Sequence, residues 1–187
     1  MQSEVRRMNK EILIAGFGGQ GILFSGKFLA YEGLIENRNV SWLPSYGPEM
    51  RGGTANCSII LSDGAIGSPI VTNPDILIAM NLPSLDKYEA ETKPGGEIFA
   101  ESSLIERKLS RTDVSGYYIP ATHLADENGL SGLANMIMLG YMIKKSGVIP
   151  TENIDAALSK VVPPSKAHLI EKNRQAIDIG YNYGEEK

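Results

Sequence analysis

The chain has 187 residues, 42% of them hydrophobic and 21% charged, the balance of one globular domain with its own core. A net charge of −4 gives no overall basic footprint, which argues against nucleic-acid binding. No apolar run nears the ~20 residues of a membrane-spanning helix, and residues 1–10 are too polar for a secretory signal.

Residues 11–16 (EILIAG) form a short apolar run closed by glycine and read as a buried strand. Residues 21–36 read as a helix with Ile22, Phe24, Phe28, Tyr31 and Ile35 on one face. Val40 to Leu43 is a second strand, stopped by Pro44. Residues 45–53 carry four turn formers and make a loop. Residues 54–61 alternate, with Ala55, Cys57, Ile59 and Leu61 towards one side. A turn-rich stretch follows, with a short strand expected around Ile70 and Val71. Residues 75–80 are the next strand, and Asn81 or Ser84 caps a short helix with Pro83 in its first turn. Residues 97–100 and 116–120 are further strands. Residues 130–145 are apolar nearly all round, as in a buried helix. A helix is expected over residues 151–162, and Ser165 caps a last one towards Tyr183.

Strands alternate with helices, so the class is α/β. The expected architecture is a single three-layer domain over residues 1–187, folded from about residue 10 to residue 183. Its sheet is mixed but mostly parallel, flanked by helices, with a Rossmann-like first βα unit. The strand-rich middle argues against a strict nucleotide-binding topology.

One cysteine, Cys57, permits no internal disulfide, which suits a reducing cytoplasm. It also cannot supply the four thiolates of a cubane cluster or a Cys-rich zinc site. His123 and His168 lie far apart, and no metal-ligand spacing is visible. No nucleophilic triad is visible either. The histidines read as surface or capping groups, His123 after Thr122 near a loop-to-helix start and His168 in the last helix, and Cys57, Trp42, Met136, Met138 and Met142 read as core.

Two segments carry chemistry. Gly16, Phe17, Gly18, Gly19, Gln20 and Gly21 match G-x-G-x-x-G between a strand and a helix, the context of a phosphate-cradling turn. A dinucleotide site also needs an acid at the end of the second strand. That strand ends Trp42-Leu43-Pro44, and no G-K-[ST] follows the loop. The alternatives are a tight packing turn or a backbone surface for another ligand or subunit. Gln20 favours the last, because an amide at a helix start can bond to a partner. The second segment is Ser45, Tyr46, Gly47, Pro48, Glu49, Met50, Arg51, Gly52 and Gly53. After a strand, it is expected at the carboxyl edge of the sheet beside the glycine loop, where ligands bind in α/β folds. Arg51 offers a planar fork for carboxylate or phosphate. The plainer alternative is a surface loop with an internal Glu49–Arg51 pair worth ~0–1 kcal/mol. Asn135 is an amide inside an apolar helix, either a satisfied core group or a support for the glycine loop. Asn81 is a second candidate support.

Together, GFGGQG at 16–21, WLPSYGPEMRGGTANC at 42–57, GSPIV at 67–71 and PDILIAMN at 74–81 resemble the gamma subunit of the 2-oxoacid:ferredoxin (acceptor) oxidoreductases. The similarity runs from about residue 10 to the last helix. The wording SYGPEMRGG is closer to the 2-oxoglutarate and branched-chain types than to the pyruvate type. The resemblance implies a complex that converts a 2-oxoacid, coenzyme A and oxidised ferredoxin to acyl-CoA, carbon dioxide and reduced ferredoxin. 2-Oxoglutarate is the leading substrate, with branched-chain oxoacids, pyruvate or indolepyruvate as alternatives. It further implies thiamine diphosphate, Mg and iron–sulfur clusters on the alpha, beta and delta subunits, and none on this chain. This chain would be a non-catalytic partner of those subunits, meeting ferredoxin only through the complex and self-associating when isolated. A stand-alone nucleotide-binding protein is the rival reading.

Overall fold

In the computed structural model, residues 8–45 and 54–184 are described. They build a six-stranded sheet in the order β2-β3-β1-β4-β5-β6. β1 spans Asn9–Phe17, β2 Asn39–Ser45, β3 Thr54–Ser62, β4 Ile76–Ala79, β5 Glu97–Glu101 and β6 Ser115–Ile119. β1, β4, β5 and β6 are parallel neighbours, while β1–β3 and β2–β3 pair antiparallel. The sheet is therefore mixed and mostly parallel, as the element pattern implies.

Layering follows from the pleat. Alternate residues of β1 and β4 point to opposite faces. Ile12, Ile14, Ile76 and Ile78 face one core, which α1 (Ile22–Ile35), α4 (Ala134–Ser146), α5 (Ile154–Val161) and α6 (Ile170–Tyr181) cover. Leu13, Ala15, Leu77 and Ala79 face the other, under α2 (Leu82–Tyr88) and Ile105. Burial on both faces explains why β4 is apolar throughout.

Several elements differ from expectation for local reasons. β2 runs through Pro44 instead of stopping there. Pro44 has no N–H to donate, but β2 is an edge strand and its outer side needs no donors. The edge position also leaves Trp42 37% exposed, so it is not core. No strand forms around Ile70 and Val71, and Ile70 is exposed. The helix start expected near His123 is there, opening the short helix α3 (Ala121–Glu127). α4 starts at Ala134, not residue 130, after a turn with Gly129 and Gly132 at positive φ. The last helix is two pieces, a 3₁₀ turn Pro164–Leu169 and then α6, and Ser165 makes no cap.

α1 shows why large apolar spacing can misplace a face. Its contact with the sheet runs through Gly26 and Gly33, two turns apart. A Cβ on Gly33 would sit 2.6 Å from Leu61 Cδ2 and 2.7 Å from Val40 Cγ2, and one on Gly26 would strike Cys57 Sγ. The small residues set the approach, while Phe24, Tyr31 and Ile35 are only half-buried.

Candidate functional site

The carboxyl ends of β1, β4, β5 and β6 share one edge because the four strands are parallel. β2 reverses into β3 and β3 lies antiparallel to β1, so β2 runs the same way as β1. Ser45 thus ends at that same edge. Phe17, which opens the glycine loop, pairs directly with Thr54, where the second motif re-enters the sheet. The two motifs therefore leave one sheet edge from adjacent strands. Tyr46, Gly47, Pro48, Glu49, Met50, Arg51, Gly52 and Gly53 themselves lie outside the described residues.

The glycine loop is a tight strand-to-helix turn. Gly19 and Gly21 take φ of 92° and 75°, a region that glycine enters without strain. Gly21 is the N-cap of α1, and no side chain caps that helix end. Phe17, Gly18 and Gly19 are exposed, whereas Gly16 is buried. A Cβ on Gly16 would lie 2.6 Å from Gln20 Oε1 and 2.8 Å from Met80 Cβ.

Gln20 behaves differently from the partner-facing amide expected of it. Its Oε1 accepts from Phe17 N at 2.6 Å and its Nε2 donates to Met80 O at 3.1 Å. The carboxamide closes the gap between the ends of β1 and β4. That gap lies between a strand whose helix packs on one face and a strand whose helix packs on the other. In doubly wound folds such a switch point holds the ligand. Here a side chain of the protein occupies it. The sheet order weighs against a dinucleotide as well, because antiparallel β3 lies where a Rossmann unit has its second parallel strand.

Two further amides support this edge. Asn135, on α4, donates from Nδ2 to Gly21 O at 3.2 Å and to Ser25 Oγ at 3.0 Å. It reaches the glycine loop, and is more than a satisfied core group. Asn81 caps α2, its Oδ1 accepting from Ser84 N at 2.9 Å. It follows Met80, the residue that receives Gln20, so cap and plug are adjacent in sequence. Glu101 is the group that sequence reasoning missed. Fully buried at the end of β5, its Oε1 accepts from Ser103 N at 3.1 Å and Thr122 N at 3.2 Å, tying β5 to α3. The available signal was an acid closing the apolar run Ile98-Phe99-Ala100.

The remaining candidates sit elsewhere. His123 is exposed and meets Glu127 at 3.1 Å, one helical turn away. His168 is exposed in the 3₁₀ turn. Burial pushes the Cys57 thiol up to about 12, although a hydrogen bond with Trp42 opposes it, so the thiol is unreactive. Among the described residues, no three His, Cys, Asp or Glu side chains gather as a metal site.

Comparison with known proteins places the fold. The family described as pyruvate ferredoxin/flavodoxin oxidoreductase, POR, matches residues 11–183. The 2-oxoglutarate synthase subunit KorC of Methanocaldococcus jannaschii is 36% identical over 183 residues, covering 96% of this chain and 96% of its own. The ketoisovalerate oxidoreductase subunit VorA of Methanothermobacter thermautotrophicus is 36% identical over 175 residues, which is 94% of this chain but only 36% of that protein. The crystal structure of the keto/oxoacid ferredoxin oxidoreductase gamma subunit from Geobacter sulfurreducens superposes with a TM-score of 0.79 at 30% identity, covering 92% of this chain and 96% of that one. By the family match and by these relatives, the chain belongs to the pyruvate ferredoxin/flavodoxin oxidoreductase family.

Proposed function

We propose that this chain is the gamma subunit of a cytoplasmic 2-oxoacid:ferredoxin oxidoreductase acting on 2-oxoglutarate. The observation that carries the reading is the pair of loops leaving one sheet edge from the paired residues Phe17 and Thr54. That edge holds the exposed glycine turn and the uncapped N-terminus of α1. It offers backbone donors to a partner or an anion, and among the described residues no acid–base pair is placed there. Chemistry then belongs to the alpha, beta and delta subunits, which would carry thiamine diphosphate with Mg and the iron–sulfur clusters. Thiamine diphosphate supplies the electron sink for decarboxylation. This chain packs beside that site and helps wall the approach of coenzyme A.

The relatives carry the matching region in two arrangements. VorA matches over 36% of its own length, so there the equivalent of this chain is joined to further sequence. In KorC of Methanocaldococcus jannaschii the match takes up 96% of the protein. The KorC similarity favours 2-oxoglutarate, and the VorA similarity makes a branched-chain oxoacid the second reading.

Arg51 is proposed to face coenzyme A phosphate or a partner carboxylate. Arg51→Ala should weaken assembly, or raise the apparent KM for coenzyme A, by about tenfold, the scale of one hydrogen bond to a charged group. Unchanged assembly together with unchanged kinetics would overturn that role. The complex itself is tested by anaerobic pull-down on this chain, assaying the eluate for viologen reduction that needs coenzyme A and a 2-oxoacid. Co-eluting cysteine-rich chains and a fastest rate with 2-oxoglutarate are expected. A chain that elutes alone, crosslinks to nothing and melts higher with NAD, NADP, FAD or AMP would replace this reading with a nucleotide-binding one.

A further inference from the structure

Of the chain's asparagines, only Asn128 is followed by glycine. Both residues are exposed, just past the carboxyl end of α3. They form a Schellman-type turn. Gly129, at φ 67°, donates from its N–H to Asp126 O at 3.2 Å, and Leu130 N donates to Ala125 O at 2.8 Å. Asn128 closes the same turn with its side chain, Nδ2 donating to Leu124 O at 2.8 Å. Ala125 and Leu130 are buried, and Ser131 Oγ donates across the turn to Asp126 Oδ1 at 2.6 Å. Those contacts fix the two ends and leave residues 128–129 as the part that can swing.

An asparagine amide beside a glycine N–H sets an electrophile next to a nucleophile, and glycine brings no side chain to shield the attack. A Cβ on Gly129 would meet nothing within 4 Å, so the surroundings of the turn are open. At ψ 8° Asn128 does not hold its Cγ over Gly129 N, so the turn must open before the two meet. Three features favour that opening. α3 has only seven residues and no side-chain cap at its start. Asn128 N and Gly129 N both donate over 3.2 Å, the long end of the normal range. Asp126 and Glu127 stand in the last turn with no basic residue beside them in sequence, although the helix dipole favours cations there.

We propose that Asn128–Gly129 is a self-modification site, which converts to isoaspartate in the folded chain and thereby loosens the joint between α3 and α4. Gly129 N gives up its proton and attacks Asn128 Cγ. The new C–N bond closes a five-membered succinimide, and the bond to Nδ2 breaks, so that Nδ2 leaves with that proton as ammonia. Water then opens the ring at either carbonyl. Opening at the main-chain carbonyl routes the backbone through Cγ and gives isoaspartate, and opening at the other gives aspartate. Either product replaces the donor to Leu124 O with a carboxylate beside Asp126 and Glu127. Isoaspartate also adds one carbon to the main chain between the buried Ala125 and Leu130. Leu130 O accepts from Leu133 N at 2.9 Å, and Leu133 is the N-cap of α4. The change therefore reaches the first turn of α4, where Asn135 holds Gly21 O. The site stands apart from the subunit assignment and survives or fails independently of it.

The test is to age the full 187-residue chain in neutral buffer, and in parallel in urea that unfolds it, and to follow the peptide containing Asn128 by mass spectrometry. A gain of one dalton is expected there, with the isoaspartyl form labelled by an isoaspartyl methyltransferase and S-adenosylmethionine. The folded chain should convert within about tenfold of the unfolded rate, as a helix end that opens locally would. Conversion slower than that overturns the proposal, because the reaction would then need more than the opening of this turn. Asn128→Gln keeps an exposed amide but lengthens it by one carbon, so the five-membered ring cannot form. That variant should melt like the parent and gain no mass at this peptide, and an equal gain would overturn the assignment to Asn128. The converted fraction carries one more negative charge and separates by ion exchange. Its hydrogen exchange over residues 130–137 should be about fivefold or more faster than in the parent, and unchanged exchange there would overturn the loosening.

Discussion

Asn135 shows how much one amide can organise. It sits 114 positions from Gly21 in sequence and donates to its carbonyl and to Ser25 Oγ. An amide interrupting an apolar helix is visible in the sequence, but its partner is not, because side-chain reach depends on how α1 and α4 pack. Asn135→Ala strips a donor from the buried Ser25 Oγ and from Gly21 O, which keeps its bond from Ser25 N, and should cost about 1–3 kcal/mol. A thermal melt reads the loss, and hydrogen exchange at residues 21–25 should rise with it. Gln20 carries the opposite lesson. Its residue type suggested an outward contact, yet both ends of the amide are engaged inside the chain. A glutamine can turn either way, and only the position of Met80 O decides.

At the scale of elements, the tightest contact is the crossing of α4 and α6. Gly140 on α4 meets the backbone carbonyl of Ile177, and Gly180 on α6 meets that of Ile137. Each glycine faces the other helix's backbone, so a Cβ at either would collide with main chain that cannot rotate away. Gly140→Ala and Gly180→Ala are each expected to cost about 3 kcal/mol, at the upper end of overpacking costs. For a chain of this size that lowers Tm by roughly 6–12 °C. An exposed helical glycine would gain stability from the same change, so an unchanged or higher Tm would rule the close crossing out. Type and order were legible for most of the longer elements. The strands of β1, β3, β4 and β5 are short apolar runs bounded by turn formers, and both faces of the sheet are covered. The errors fall where tertiary context overrides local pattern, as at Pro44 on a free edge and Ile70 in an exposed bend.

For the whole molecule, pH bears on a buried acid. Glu32 on α1 is fully buried, and neither carboxylate oxygen has a hydrogen-bond partner. Burial, reinforced by Glu36 and Glu152, pushes its carboxyl up to about 7 from 4.5. Arg38 is engaged with Glu36 at 2.8 Å. Between those two values the folded chain holds a proton that the unfolded chain has released, so stability falls as pH rises through the window. Above it, the ionised carboxylate remains a penalty. Glu32→Gln should flatten the dependence and raise stability by about 1–3 kcal/mol at about pH 8, with little change near pH 4.5. Denaturant melts across that range check it, and a parallel loss at every pH would point to lost packing instead. By itself the sequence determined the class of the fold, the two loops that carry the family's wording, and the incapacity of one cysteine to hold a cluster, because composition, periodicity and contiguous motifs are local properties. Only the tertiary structure decided that antiparallel β3 separates β1 from β2, that Gln20 fills the switch point, and that Asn135 and Asn173 converge on one cavity. Those facts join residues tens to more than a hundred positions apart, and no local pattern records which of them the packing will bring together.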